Sequence, residues 1–121
     1  MKKLLTLALL FSALLLFAEE NRVKQSPEKP TINDIISITY TPGTESSIIK
    51  KASHMVLEIV FWKPVEEFVF KQIPMLKDGN NFTANVSIPN DSIVYVTYKF
   101  SSENTIDDNN SQWWESFIYD G

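Results

Sequence analysis

Phe82-Thr83-Ala84-Asn85-Val86-Ser87-Ile88 alternates apolar and polar residues without a break. A period of two is the pleat of a β-strand, so this stretch predicts a half-buried strand with Phe82, Ala84, Val86 and Ile88 inward and Thr83, Asn85 and Ser87 outward. Lys77-Asp78-Gly79-Asn80 stands before it and is the clearest turn signal in the chain, because Asp-Gly and Asn accept positive φ. Pro89-Asn90-Asp91 turns the chain after it. The next stretch, Ile93 to Phe100, sets Val94, Val96, Tyr98 and Phe100 on one face and Tyr95, Thr97 and Lys99 on the other.

Upstream the same grammar repeats. Asp34 to Thr41 is rich in β-branched residues, with Ile36, Ile38 and Tyr40 on one face, and Pro42-Gly43 ends it. Ser46 to Lys50 reads as a short edge strand. Met55 to Trp62 is almost continuously apolar, broken by Glu58 and stopped by Pro64; Glu67 to Ile73 follows and ends at Pro74. Downstream, a polar loop from Ser101 to Gln112 leads into an aromatic segment, Trp113 to Tyr119. Six or seven short strands with regularly spaced turns predict an all-β, immunoglobulin-like antiparallel sandwich over residues 32–121. Phe82, Val86, Val94, Val96 and Phe100 are its expected core. No amphipathic helix and no internal repeat interrupts the pattern.

The N-terminus reads as an address. Met1-Lys2-Lys3 is basic, Leu4 to Phe17 is apolar apart from Thr6 and Ser12, and Ala18 precedes the acidic Glu19-Glu20. A basic start, an apolar run too short to span a bilayer comfortably and a small residue before a polar break are the parts of a secretory signal. Residues 1–18 are therefore the expected signal peptide, cut after Ala18, with an uncleaved anchor as the alternative. Residues 19–31, charged and carrying Pro27 and Pro30, read as a flexible linker. The mature chain is then expected to be secreted or periplasmic, in a bacterial envelope, and free of the membrane.

Composition removes several function classes. The formal net charge is −4, whereas a nucleic-acid binder needs a basic face to displace counterions from phosphates. Cysteine is absent, which excludes disulfides, thiolate nucleophiles and cysteine-ligated metals. His54 is the single histidine, no Gly-x-Ser-x-Gly elbow accompanies it, and it opens an apolar strand, so it reads as structural. Only three glycines are present, too few for a phosphate-cradling loop. Asp107, Asn109 and Ser111 alternate like the opening of a calcium loop, but Gln112 replaces the required glycine and Ile118 the closing glutamate. An EF-hand is excluded, and a plain solvated loop is the reading preferred to an irregular calcium site. Glu66-Glu67 reads as solvated charge at a sheet edge. No catalytic residue, metal or cofactor is expected.

One constellation suits binding. Thr105-Ile-Asp-Asp-Asn-Asn-Ser-Gln-Trp-Trp-Glu-Ser-Phe-Ile-Tyr119 runs from carboxylates and carboxamides straight into two indoles. A pyranose stacks its apolar face on a flat indole, while Asp and Asn hydrogen-bond its hydroxyls. Adjacent Trp113 and Trp114 point to opposite sides if extended, so one is expected in the core and one toward solvent. The candidate ligand-binding residues are Trp113, Trp114, Asp108, Asn109 and Asn110. Trp62 and Tyr40 are expected as core or edge residues.

The order Ile38-Thr39-Tyr40, Phe61-Trp62, Pro74-Met75, Asp78-Gly79-Asn80, Phe82, Ile88-Pro89, Tyr98-Lys99-Phe100, Asp108-Asn109-Asn110 and Tyr119 resembles the starch-binding carbohydrate modules of immunoglobulin-like type. It also resembles the N-terminal immunoglobulin-like domain of exported bacterial thioredoxin-like proteins, where an Asp-Asn loop leads to an aromatic and then Tyr-Asp-x-x-Gly. Both resemblances cover the chain from about Ile32 onward. Ile106-Asp107 stands where a starch module has tryptophan, and Tyr119-Asp120-Gly121 reads as the end of a fragment. The first resemblance implies a non-catalytic module binding a polysaccharide, of α-glucan type. The second implies an accessory domain that packs on a neighbouring domain of a longer chain.

Overall fold

The computed structural model describes residues 22–119, folded as strands β1 (Val23–Ser26), β2 (Ile35–Tyr40), β3 (Val56–Trp62), β4 (Phe68–Pro74), β5 (Leu76–Asp78), β6 (Asn81–Ser87), β7 (Tyr95–Ser102), β8 (Thr105–Asp107) and β9 (Trp114–Phe117). The expected signal peptide at residues 1–18 lies outside the described residues. Among those described, no helix is long and apolar enough to cross a membrane.

The alternation around Phe82 becomes β6, and Phe82, Ala84 and Val86 lie opposite Tyr40, Ile38 and Ile36 of β2 in antiparallel register. Both sets face one side and are buried. The turn ahead of β6 leaves Gly79 and Asn80 between the paired Asp78 and Asn81, with Gly79 at φ 62°. A two-residue hairpin with glycine first follows the strand twist that favours primed turns.

Two antiparallel sheets result. One has the order β1-β2-β6-β5, the other β4-β3-β7-β8, with β9 also pairing β7. In immunoglobulin letters the first is A-B-E-D and the second C′-C-F-G, so the expected sandwich is present in its topology as well as its class. An antibody domain joins strands B and F by a disulfide. Here Tyr40 of β2 and Phe100 of β7 pack across the sheets instead, ring centroids 4.6 Å apart. Leu57, Ile59, Phe61, Ile93, Val96 and Met55 fill the space around them.

Four expectations need correction. Residues 22–31 are not a loose linker: β1 pairs β2 from Val23↔Tyr40 to Ser26↔Ser37, and the buried Pro30 accepts the Tyr119 amide. Ser46 to Lys50 forms no strand. It is a turn organised by the buried Ser47, whose hydroxyl donates to the carbonyls of Thr44 and Ile49. Val94 is 45% exposed, because it precedes β7 at the rim, where its amide reaches Trp62 O and its carbonyl accepts Ile118 N; Ile93 is buried in its stead. The polar loop from Ser101 is shorter than read, since β7 runs to Ser102 and turns back as β8.

Candidate functional site

The acidic loop is a bulge in the last strand position of the sandwich. Asp107 lies opposite Phe100 on β7, so an unbroken strand would bring Asn109 opposite Tyr98; Trp114 stands there instead, and the six residues 108–113 stand opposite Lys99 alone, five more than a regular strand would place there. The excursion is left-handed: Asn109, Asn110 and Ser111 take φ of 59°, 57° and 67°, and Trp113 55°. Asparagine enters this region more readily than most residues. The turn closes on itself, with Ser111 N donating to Asp108 Oδ1 at 2.9 Å and Trp113 N to Asp108 O at 2.8 Å.

Beneath it lies a buried polar cluster. Asp107 is fully buried, and its Oδ2 accepts from Tyr40 OH at 2.5 Å and from Arg22 Nε at 3.0 Å. Its Oδ1 accepts the Asn109 amide at 3.2 Å. The Arg22 guanidinium also donates to Asn109 Oδ1 and lies 5.0 Å from the Trp114 ring centroid. Burial pushes the Tyr40 phenol well above its ordinary pKa, and the hydrogen bond to Asp107 adds to the rise. Tyr98 is raised as well, by burial.

These contacts decide what the candidate ligand residues can do. The structure brings Asp108, Asn109, Asn110 and both indoles into one loop, but not onto one surface. Trp114 follows Tyr98 inward, stacking on that ring at 6.4 Å and meeting Phe100 edge-on at 5.3 Å. Its half-buried indole borders an open groove of about 920 Å³ between β1 and β9, beside Gln25 and Ser116. Gln25 ties that groove together, accepting from Tyr98 OH at 2.8 Å and donating to Ser116 Oγ at 3.1 Å. Trp113 takes the other side, with Lys99 Nζ 4.5 Å from its centroid. Asn109 is spent on Arg22 and on the Trp113 carbonyl, Asp108 on the turn, and Asn110 is exposed. Every buried side-chain nitrogen and oxygen among the described residues has a partner. No group of three or more metal-ligating side chains is assembled among them.

A surface absent from the sequence reading emerges on the outside of the five-stranded sheet. Because β3 turns Leu57, Ile59 and Phe61 inward, Glu58, Val60 and Trp62 take the outer side, where Val60 is nonetheless only 8% exposed. Register then aligns Phe68 of β4, Trp62 of β3, Tyr95 of β7 and Phe117 of β9 in one row across four strands. Phe68 and Phe117 are 58% and 60% exposed. The two outer pairs of the row are tilted rings, Trp62–Phe68 at 5.3 Å and Tyr95–Phe117 at 5.1 Å. The Trp62 indole N–H donates to Thr97 Oγ1 at 3.0 Å, and the Tyr95 hydroxyl to Glu115. Partial burial pushes the Tyr95 pKa up to about 12, with Glu115 contributing through its hydrogen bond and charge. The second row is Phe70, Val60, Thr97 and Glu115. The third is Gln72, Glu58 and Lys99, with Trp113 over Lys99; Lys99 pairs with Glu58 at 3.7 Å and Gln72 donates to Glu58 at 2.9 Å.

The outer face of the other sheet carries no aromatic row. Lys24, Ser26, Ser37, Thr39, Thr83 and Asn85 make its middle polar, with Ile35 and Leu76 as separate exposed apolar residues. The sequence carried a sign of the asymmetry, since Met55 to Trp62 is apolar on both faces and Phe68 and Phe70 alternate in step. Only the register shows that these residues meet. Comparison of the chain with protein-family models, curated proteins and solved structures finds no match.

Proposed function

We propose that this chain is an exported, non-catalytic accessory module that works by docking, with the outer face of the five-stranded sheet as its binding surface. The observation that carries the reading is the row Phe68, Trp62, Tyr95, Phe117. A contiguous exposed aromatic patch is characteristic of interaction sites, and aromatic residues are enriched where protein surfaces meet. Phe68, Phe70 and Phe117 have no polar tip, so they gain by burial against another apolar surface rather than by directional hydrogen bonds. The outer face of the opposite sheet has no such row, its exposed Ile35 and Leu76 standing apart among polar residues.

A polysaccharide ligand is the second reading. It is favoured by Trp113, whose half-buried indole borders the same face, and by the loose likeness to starch-binding modules. Asp108 and Asn109 count against it as sugar ligands, because Asp108 accepts the Ser111 amide within the loop and Asn109 accepts from Arg22.

Site-specific photo-crosslinking tests the proposal. A benzophenone side chain replaces Phe68 or Phe117, with Asn85 on the opposite sheet as control, in the cell that makes the chain. Adducts from the two phenylalanine positions and none from Asn85 are expected. Equal adduct yield at all three, or none at any, contradicts the proposal. Retardation in α-glucan gels that Trp113→Ala abolishes would instead favour the polysaccharide.

A further inference from the structure

The partner that this face fits best is a second copy of the same chain. We infer that the domain self-associates by stacking the outer faces of two five-stranded sheets about a two-fold axis that runs along the strands between β3 and β7. The inference rests on the docking surface proposed above and names its occupant.

The argument is one of register. An axis along the strands keeps each row opposite the same row and reverses the strand order, so β4 covers β9 of the second copy and β3 covers its β7. Phe68 then meets Phe117, and Trp62 meets Tyr95. Two rows along, Glu58 meets Lys99, and because the contact is isologous the pairing occurs twice. Each chain already holds Glu58 and Lys99 together at 3.7 Å, their side chains 14% and 23% exposed, so the dimer closes an alternating cluster in which each of these four charges has an opposite neighbour. The remaining contacts are Val60 with Thr97, Phe70 with Glu115 and Gln72 with Trp113. Of these, Phe70 with Glu115 is the poorest.

An axis across the strands, placed midway between the second and third rows, fits less well. It lays the third row on the second, pressing Glu58 on Val60 and Lys99 on Thr97, and it sets the aromatic row against Pro74, Val56 and Ser101. Aligned stacking of two sheets is an ordinary packing mode, with the twist accommodated by a rotation of about 30°. Strand spacing of about 4.8 Å and a rise of about 3.4 Å per residue give the patch of four strands and three outward rows roughly 400 Å² per copy. That falls below the ∼800 Å² per partner of a stable complex, so association is expected to be weak.

Charge exchange tests the arrangement. Sedimentation equilibrium of the purified chain between about 10 µM and 1 mM should show a monomer–dimer equilibrium in that range. Glu58→Lys and Lys99→Glu should each weaken dimerisation at least tenfold, through two like-charge contacts, while circular dichroism stays that of the parent. Mixing the two variants should restore it, since every Glu58–Lys99 contact between unlike chains again carries opposite signs. Phe117→Lys, at an exposed position, should abolish the dimer without unfolding. A dimer that both charge variants form unchanged, or single variants that weaken while their mixture does not recover, overturns the arrangement. A chain monomeric at 1 mM also overturns it, and crosslinking from Phe117 to a different protein would then leave the docking surface standing without self-pairing.

Discussion

Tyr40 and Asp107, 67 positions apart, share a 2.5 Å hydrogen bond in the interior of the sandwich. Through it the second strand holds the root of the 108–113 bulge, and Arg22 grips the same carboxylate oxygen from β1's side at 3.0 Å. Three distant segments are thus joined at one buried atom.

Removing that atom should be costly. Asp107→Ala leaves a guanidinium only 13% exposed and a buried phenol without their acceptor. Breaking a buried pair from one side costs about 3–5 kcal/mol, and urea unfolding should register a loss of that size. Tyr40→Phe keeps the ion pair and should cost about 1–3 kcal/mol. A loss under 1 kcal/mol for Asp107→Ala would mean that the cluster does not anchor the loop.

Alkali should find the same place. Burial raises the pKa of Tyr40 and Tyr98 in the folded chain above the unfolded value of about 10. The folded state therefore holds protons that the unfolded state releases, so stability is intact below pH about 10 and falls as pH climbs from there through the folded values. Denaturant midpoints measured from pH 8 to 12 should be flat and then descend, and Tyr40→Phe should descend less steeply. A stability that rises above pH 10 would contradict these environments.

The two adjacent indoles should separate cleanly. Trp114 packs on Tyr98 and Phe100, so Trp114→Ala should cost roughly 3–5 kcal/mol, or somewhat less for its half-exposed edge. Trp113 touches the surface side of Lys99, and Trp113→Ala should stay within about 0.5–1 kcal/mol of the parent. Urea unfolding of each variant decides between them, and equal losses would mean that the loop is placed differently.

How much of this was legible follows from the range of each signal. Strand existence and face are local properties, so Phe82 to Ile88 and Ile36 to Tyr40 gave themselves away by alternation. Adjacency could not place the two indoles, because Trp113 is left-handed rather than extended and both rings end half-buried instead of one in the core and one in solvent. Val94 misled because alternation says which side a residue takes, not whether another sheet covers that side at the rim. Val23 to Ser26 was hidden by its polarity: Lys24, Gln25 and Ser26 make an edge strand with one weakly apolar residue, indistinguishable from a linker until Val23 is seen opposite Tyr40. Asp107 looked like loop charge because its partners are 67 and 85 positions away. The aromatic row was invisible for the same reason. Phe68, Trp62, Tyr95 and Phe117 become neighbours only through pairing register, which no single segment encodes.

Hydroxyl-radical footprinting tests most directly whether this row is the working surface. The chain is labelled once dilute and purified, and once in its native surroundings, and side-chain oxidation is compared residue by residue. Phe68, Phe70 and Phe117, all substantially exposed in the isolated domain, should be protected in the native setting, while Ile35 and Leu76, equally open on the opposite sheet, should be oxidised alike in both. Unchanged labelling of the three phenylalanines, or protection centred on Ile35 and Leu76, would contradict the account.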